Sequence, residues 1–270
     1  MLFYMSKDTV LITGASSGIG EALAGLFARR GHDLVLVARS KDKLESLAAE
    51  FEAENGCQVW VEVADLSKDG AASKLAGRLD KQNLEVDILV NNAGVLEHGF
   101  FVDLPADGQK RMLDLNIRGL TGMLGTFLPP MLERERGRVL NVASIGAFQP
   151  IPSLAVYAAT KAYVLSLSES LSEELKDTGV TVTALCPGVT DTNMVTGAKE
   201  KSGGFNKYPD FMIGDVEEVA EAGYKACMKG DAICVPGAVN LATTMASRAM
   251  PKWLVRRLYG AIGRYTAEAD

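Results

Sequence analysis

A doubly wound parallel α/β sheet with helices on both faces is the fold class that the sequence predicts. Three observations predict it. Short β-branched runs alternate with helix-patterned segments along most of the chain. Most of those runs are apolar almost without interruption, as strands covered on both faces are. The first run leads directly into a glycine-rich turn that opens a helix.

The expected strands are Thr9–Thr13, Asp33–Ala38, Gln58–Val63, Val86–Val90, Arg138–Val142, Val180–Leu185 and Ala232–Val235. Between them, 3.6-residue periodicity predicts helices over Gly18–Arg30, Lys41–Asn55, Lys68–Lys81, Asp107–Glu135, Tyr157–Asp177 and Val216–Lys229. No linker, charge block, low-complexity stretch or repeat divides the chain. A single domain over residues 1–270 is therefore expected. Two regions break the rhythm. Gly188 to Gly214 contains Gly197, Gly203, Gly204 and Pro209 without firm periodicity, so a lid or substrate loop over about 189–215 is expected. The tail from Val239 to Asp270 is expected to form one or two short amphipathic helices.

Composition narrows the function classes. Of 270 residues, 47% are apolar and 23% charged, and the net charge is −6. That balance opposes general nucleic-acid binding, which calls for a basic face. No apolar run reaches the ~18 residues of a spanning helix. The first eight residues lack a basic segment ahead of an apolar core, so no secretory signal is expected. Cys57, Cys186, Cys227 and Cys234 form no CxxC pair and are expected to be free thiols in the reducing cytoplasm. With only His32 and His98, no metal site is expected.

The turn Gly14-Ala15-Ser16-Ser17-Gly18-Ile19-Gly20 lies between the first strand and the first helix. Glycines there permit sharp bending and close approach to a pyrophosphate, which the helix N-terminus favours electrostatically. The second strand ends at Arg39, with Ser40, Lys41 and Lys43 after it and no carboxylate at the strand end. An arginine there suits the 2′-phosphate of NADP, whereas an acid would suit the free ribose of NAD. Asp65, in Val63-Ala64-Asp65-Leu66, fits either an adenine contact or the N-cap of a turn. Asn91-Asn92-Ala93-Gly94 after the fourth strand fits either a polar turn or a backbone approaching the cofactor.

Tyr157 and Lys161 are four residues apart, on one face of a helix, and Ser144 precedes them. A phenol ordinarily loses its proton near pH ~10, too high for efficient acid–base work at neutral pH. A lysine one turn away favours the phenolate, and a serine hydroxyl beside them can hold a carbonyl oxygen. Singly, each residue also has an ordinary structural explanation. Together they supply an acid, a charge that tunes it and an oxygen clamp.

In order and spacing, Thr13-Gly14-x-x-x-Gly18-x-Gly20, Asn91-Asn92-Ala93-Gly94, Asn116, Ser144, Tyr157-x-x-x-Lys161 and Pro187-Gly188 resemble the short-chain dehydrogenase/reductase family. The resemblance covers roughly Lys7 to Val235. It implies a seven-stranded Rossmann-type sheet and a nicotinamide cofactor. It also implies that Tyr157 is the acid/base, that Ser144 orients the substrate oxygen, and that Lys161 holds the nicotinamide ribose and lowers the tyrosine pKa. Asn116 would support a water-linked proton path. The implied cofactor set is Gly14, Ser16, Ser17, Gly18, Ile19 and Gly20 in the turn, Arg39 at the second strand, and Asp65 with Leu66 at adenine. Asn92, with Ala93 and Gly94, would lie near the adenosine ribose. Pro187, Gly188, Val189 and Thr192 would cover the nicotinamide end, where Tyr157 and Lys161 also meet the cofactor. NADP is expected over NAD.

The expected partner is a small carbonyl or alcohol. Ile145, Phe148, Ile151, Pro152 and Leu154, together with Val95 and Leu96, suggest an apolar pocket, and the long loop adds Met194, Phe205, Tyr208, Phe211 and Met212. A 3-oxoacyl thioester is the alternative substrate. Arg111, Arg118, Arg134, Arg136 and Arg138 are candidates for receiving an acidic carrier. The non-enzyme alternative is a catalytically silent NADP-binding regulator. The family resemblance also implies a homodimer or homotetramer joined through the helices over Asp107–Glu135 and Tyr157–Asp177. The tail, with Trp253, Leu254, Leu258 and Ile262 beside Arg256, Arg257 and Arg264, is expected to pack on its own domain or a neighbouring subunit; contact with an anionic membrane is the lesser expectation.

Overall fold

The computed structural model describes residues 7–202, 213–257 and 260. Seven strands form one parallel sheet in the order β3-β2-β1-β4-β5-β6-β7. They are β1 Thr9–Thr13, β2 Asp33–Ala38, β3 Val59–Val63, β4 Ile88–Asn91, β5 Gly137–Val142, β6 Val180–Leu185 and β7 Ile233–Cys234. The chain builds outward from β1 to β3, then crosses back to lay β4 beside β1. That reversal opens a crevice beyond the carboxyl ends of β1 and β4, where ligands of such sheets bind.

The helices are α1 Gly18–Arg29, α2 Lys41–Asn55, α3 Ala71–Lys81, α4 Ala106–Leu113, α5 Leu120–Glu133, α6 Ala155–Glu174, α7 Asn193–Ser202, α8 Val216–Lys229 and α9 Ala238–Ala249. They cover both faces of the sheet, and the strand side chains divide between two cores with period two. Leu11, Val35, Val37 and Leu89 pack with Leu75, Phe127 and Val164 of α3, α5 and α6. Val10, Ile12, Leu34 and Leu36 pack with Phe27, Phe51 and Val219 of α1, α2 and α8. Phe27 is fully buried, with its ring edge-on to Tyr224 at 5.0 Å. Burying such a side chain stabilises by roughly 1.5–3 kcal/mol.

Three departures from expectation have local causes. The helix expected from Lys68 starts at Ala71, because Asp65 ties Ser67 into a turn and Gly70 adopts φ +68°. The helix expected over Asp107–Glu135 is divided by a π-helical segment, Asp114–Gly119. At its centre, buried Asn116 directs its side chain to the Val95 backbone. The segment expected to be an aperiodic loop contains α7, whose first turn closes on the Thr192 carbonyl through the Val195 and Thr196 amides. The loop's ends meet in a parallel bridge, Thr190 to Gly214. In the tail, α9 is followed by Pro251 and a helical stretch at 252–257. Phe205, Tyr208, Phe211, Met212, Leu258, Ile262 and Arg264 lie outside the described residues.

Candidate active site

At the end of β1 the chain turns through Gly14, at φ +67°, and Gly18, at φ +58°, into α1. A Cβ on Gly20 would lie 2.3 Å from the Gly14 carbonyl oxygen, so only glycine lets the helix sit this close. Thr13 and Asn92 brace the turn. The Thr13 hydroxyl donates to the Val90 carbonyl and accepts from the Asn92 and Ala93 amides. The Asn92 Nδ2 donates to the Thr13 and Gly14 carbonyls at 3.0 and 3.2 Å. The Asn92 side chain thus supports the turn itself. No side chain caps α1 at Ser17, so its first-turn amides remain available to a ligand. This cradle of close-packed glycines and open amides fits a pyrophosphate.

Arg39, exposed, directly follows β2 and lines the same cleft as the turn. Asp65 accepts from the Ser67 hydroxyl at 2.6 Å and from the Ser67 amide at 3.1 Å. The hydroxyl bond, with the amide and the charges of Lys68 and Arg39, holds the Asp65 carboxyl below its ordinary range. Leu66 beside it is buried and also lines the cleft.

Ser144 lies just past β5, caps a short 3-10 helix, Ile145–Phe148, and accepts the Gly146 amide at 3.0 Å. Its hydroxyl also favours the Tyr157 phenolate, lowering that group's proton affinity. Tyr157 and Lys161 stand in the first two turns of α6. The Lys161 Nζ lies 5.7 Å from the tyrosine ring centroid and donates to the Val142 carbonyl at 2.7 Å. Asn116 Nδ2 donates to the Val95 carbonyl at 2.9 Å and to the Thr160 hydroxyl at 3.1 Å, while its Oδ1 accepts the Val95 amide. A Cβ on Gly94 would lie 3.4 Å from Asn116 Oδ1 and 3.7 Å from Lys161 Nζ, so the glycine corner packs between them.

Burial pushes the Tyr157 hydroxyl up to about 12, a rise partly offset by the Ser144 hydroxyl. Burial brings the Lys161 ammonium down to about 8, with nearby Cys186 opposing the fall. The expected lowering by the lysine is not what governs the tyrosine: desolvation of the phenolate raises it, and Ser144 is the group that opposes the rise.

Past β6, Pro187, Gly188, Val189 and Thr192 edge the cleft. The Pro187 carbonyl accepts from Ile145, and the Thr192 methyl lies 3.1 Å from where a Gly18 Cβ would stand. One cleft of about 590 Å³ is lined by the glycine turn, Arg39, Asp65, Ser144, Tyr157 and Lys161 together. Its further end is walled by Val95, Leu96, Ile145, Ile151, Leu154 and Met194. Phe148 is not among the lining residues; it packs under the Arg248 guanidinium at 4.8 Å. Sequence reasoning missed the polar lining residues His98, Gln149, Ser153, Thr190 and Thr243, which stand in loops and in α9 without a motif to mark them.

A family model described as short chain dehydrogenase matches residues 8–203. An uncharacterised oxidoreductase of Staphylococcus aureus (strain MRSA252) is 37% identical over 188 residues, 70% of this chain and 80% of that protein. A solved short-chain dehydrogenase from Sphingobium yanoikuyae, in complex with NADPH, superposes with a TM-score of 0.78 at 35% identity, covering 91% of this chain and 97% of that one. A bulky-bulky ketone specific alcohol dehydrogenase from Comamonas testosteroni superposes with a TM-score of 0.75 at 32% identity, covering 89% and 92%.

Proposed function

The chain belongs to the short-chain dehydrogenase family, and on that premise we propose that it is an NADP(H)-dependent oxidoreductase interconverting an apolar ketone and its secondary alcohol. The observation that carries this reading is the single cleft in which the glycine turn at one end faces Ser144, Tyr157 and Lys161 at the other. We treat residues 1–270 as one domain carrying both ends.

The α1 amides and the glycine turn would hold the pyrophosphate. Arg39 would pair with the 2′-phosphate, and the bound nicotinamide would exchange a hydride with the substrate carbon. Support for NADP comes from Arg39 at the cleft, the absence of a carboxylate at the end of β2 and the NADPH carried by the Sphingobium relative. Ser144 and Tyr157 would both donate to the substrate oxygen. Tyr157 would give up its proton as negative charge develops there. Lys161 stabilises the phenolate left behind, and Asn116, fixed against Val95 and Thr160, supports the route by which the proton is replaced.

The apolar wall suits a hydrophobic ketone, and the Comamonas relative acts on bulky ketones by its description. An acidic carrier finds little support. Arg111 pairs with Glu97, Arg118 with Asp69 and Asp114, Arg134 with Glu85, and Arg136 with Asp8 and Asp87. We further propose a homo-oligomer joined through α5 and α6.

NADPH consumption with a panel of alkyl ketones, steroid ketones and acyl thioesters tests the reading. Tyr157→Phe is expected to lower turnover about 10³-fold while NADPH binding, followed by fluorescence, persists. Wild-type turnover by that variant would remove the mechanism.

A further inference from the structure

Exposed apolar side chains gather beyond the carboxyl ends of the strands, where connections leaving a parallel sheet emerge together. Phe101 and Val102 follow β4, Met194 follows β6, and α9 follows β7. Along α9, Val239, Leu241, Ala242, Met245, Ala246 and Ala249 form an exposed apolar arc, with exposed Thr243 and Arg248 at its two edges. Their three- and four-residue spacing sets them on one face. Met245 is 63% exposed. The inward face holds buried Thr244 and Ser247, and the Ser247 hydroxyl reaches Gln149. Beyond Pro251, Trp253 and Leu254 are exposed while Val255 turns inward.

Charge is biased along the last part of the chain, although the connections after β4 and β6 carry exposed Asp103, Asp107 and Asp191. The chain carries 34 Asp and Glu against 28 Lys and Arg, yet from Ala232 to Ala267 it has no carboxylate at all. That stretch holds Arg248, Lys252, Arg256, Arg257 and Arg264. Arg248 is partly spent on Glu169, at 3.4 Å. Lys252, Arg256 and Arg257 are exposed, and the Arg257 guanidinium lies 5.7 Å from the Trp253 ring centroid.

We propose that this end of the protein docks on an anionic lipid surface, with α9 and residues 252–257 lying in the headgroup plane. An apolar arc with an indole beside it and cations at its border matches such a surface in both polarity and charge. The same charge pattern disfavours a second copy as occupant, because a two-fold contact sets the same patch on both partners and the stretch that bears Lys252, Arg256 and Arg257 has no carboxylate to offer them. Asn240 of α9 packs on Gly188, and Thr243 lines the cleft. Docking through α9 therefore sets the cleft beside the bilayer. If the proposed ketone chemistry holds, substrate dissolved in lipid would enter there.

The test is co-sedimentation of the full chain with vesicles of phosphatidylcholine alone and of phosphatidylcholine mixed with phosphatidylglycerol. The protein is expected to pellet with the mixed vesicles and stay in solution with the neutral ones. Replacing both Arg256→Gln and Arg257→Gln should weaken partitioning about 30-fold, at the energy usual for a lysine or arginine near such a surface. Met245→Glu should abolish pelleting while leaving the melting midpoint and turnover of a water-soluble ketone unchanged. A wild-type chain that stays in solution with mixed vesicles overturns the proposal, as does Met245→Glu pelleting like wild type. A dimer that Met245→Glu splits, without any pelleting, assigns the face to a second copy and also overturns it. Because pelleting needs no turnover, failure here is distinct from failure of the proposed chemistry.

Discussion

Tyr157 and Lys161 stand one helical turn apart, yet burial moves their proton affinities in opposite directions, to about 12 for the phenol and about 8 for the ammonium. At neutral pH the tyrosine therefore keeps its proton and the lysine most of its charge, the pairing that reduction needs. Oxidation needs the phenolate instead. Carbonyl reduction is expected to hold level below about 8 and to fall as pH rises through the lysine value. Alcohol oxidation should gain nothing over that range and rise only as pH approaches the tyrosine value of about 12. Steady-state kcat/KM profiles in both directions check this, and a reduction rate that climbs through that pH would contradict it. Arg39 offers a second residue-scale prediction. Arg39→Asp should weaken NADPH binding by tenfold or more, about 1.5–3 kcal/mol for a charge-assisted hydrogen bond lost, and affect NADH far less. Equal losses in titrations with the two cofactors would remove the assignment.

At the scale of elements, the turn from β1 to α1 depends on Gly20. A Cβ there meets Gly14 backbone at 2.3 Å and the Asn92 amide at 2.4 Å. Backbone cannot yield as a flexible side chain can, so Gly20→Ala should cost about 1–3 kcal/mol. It should also weaken NADPH binding, since the displaced loop is the proposed phosphate cradle. Gly77, inside α3 with nothing within 4 Å of its missing Cβ, is the control. Gly77→Ala should stabilise by about 0.5–1 kcal/mol. Thermal melts of the two variants should shift in opposite directions. The π-helical segment around Asn116 is one element that sequence reading missed. Its residues keep helical periodicity on either side, and the one-residue widening leaves no compositional mark. The cause lies in Val95 and Thr160, both distant in sequence.

Over the whole molecule, the sheet was legible because its strands are buried on both faces and so announce themselves as apolar runs, as at Val10–Ile12 and Leu34–Val37. That the glycine turn, Ser144 and the Tyr157–Lys161 pair share one cleft was legible from their residue types and spacing. What escaped had neither mark. α7 lies in a glycine-bearing segment of weak periodicity, and His98, Gln149 and Thr243 reach the cleft only through the packing of separate elements. The proton-affinity balance also escaped, because helical spacing gives the neighbour of a group but not its solvation.

The Thr190 to Gly214 bridge has a consequence for how the molecule can diversify. The Gly214 amide donates to the Val189 carbonyl, and the Asp191 amide donates to the Gly214 carbonyl. The excursion between these residues is thus tied off at its base, and its length is decoupled from the rest of the scaffold. Closing a longer excursion over a fixed base costs only slowly more entropy. Met194 and Val195, at the start of that excursion, line the cleft, so changes of length or sequence beyond them can reshape its wall while the strands and the glycine turn stay in register.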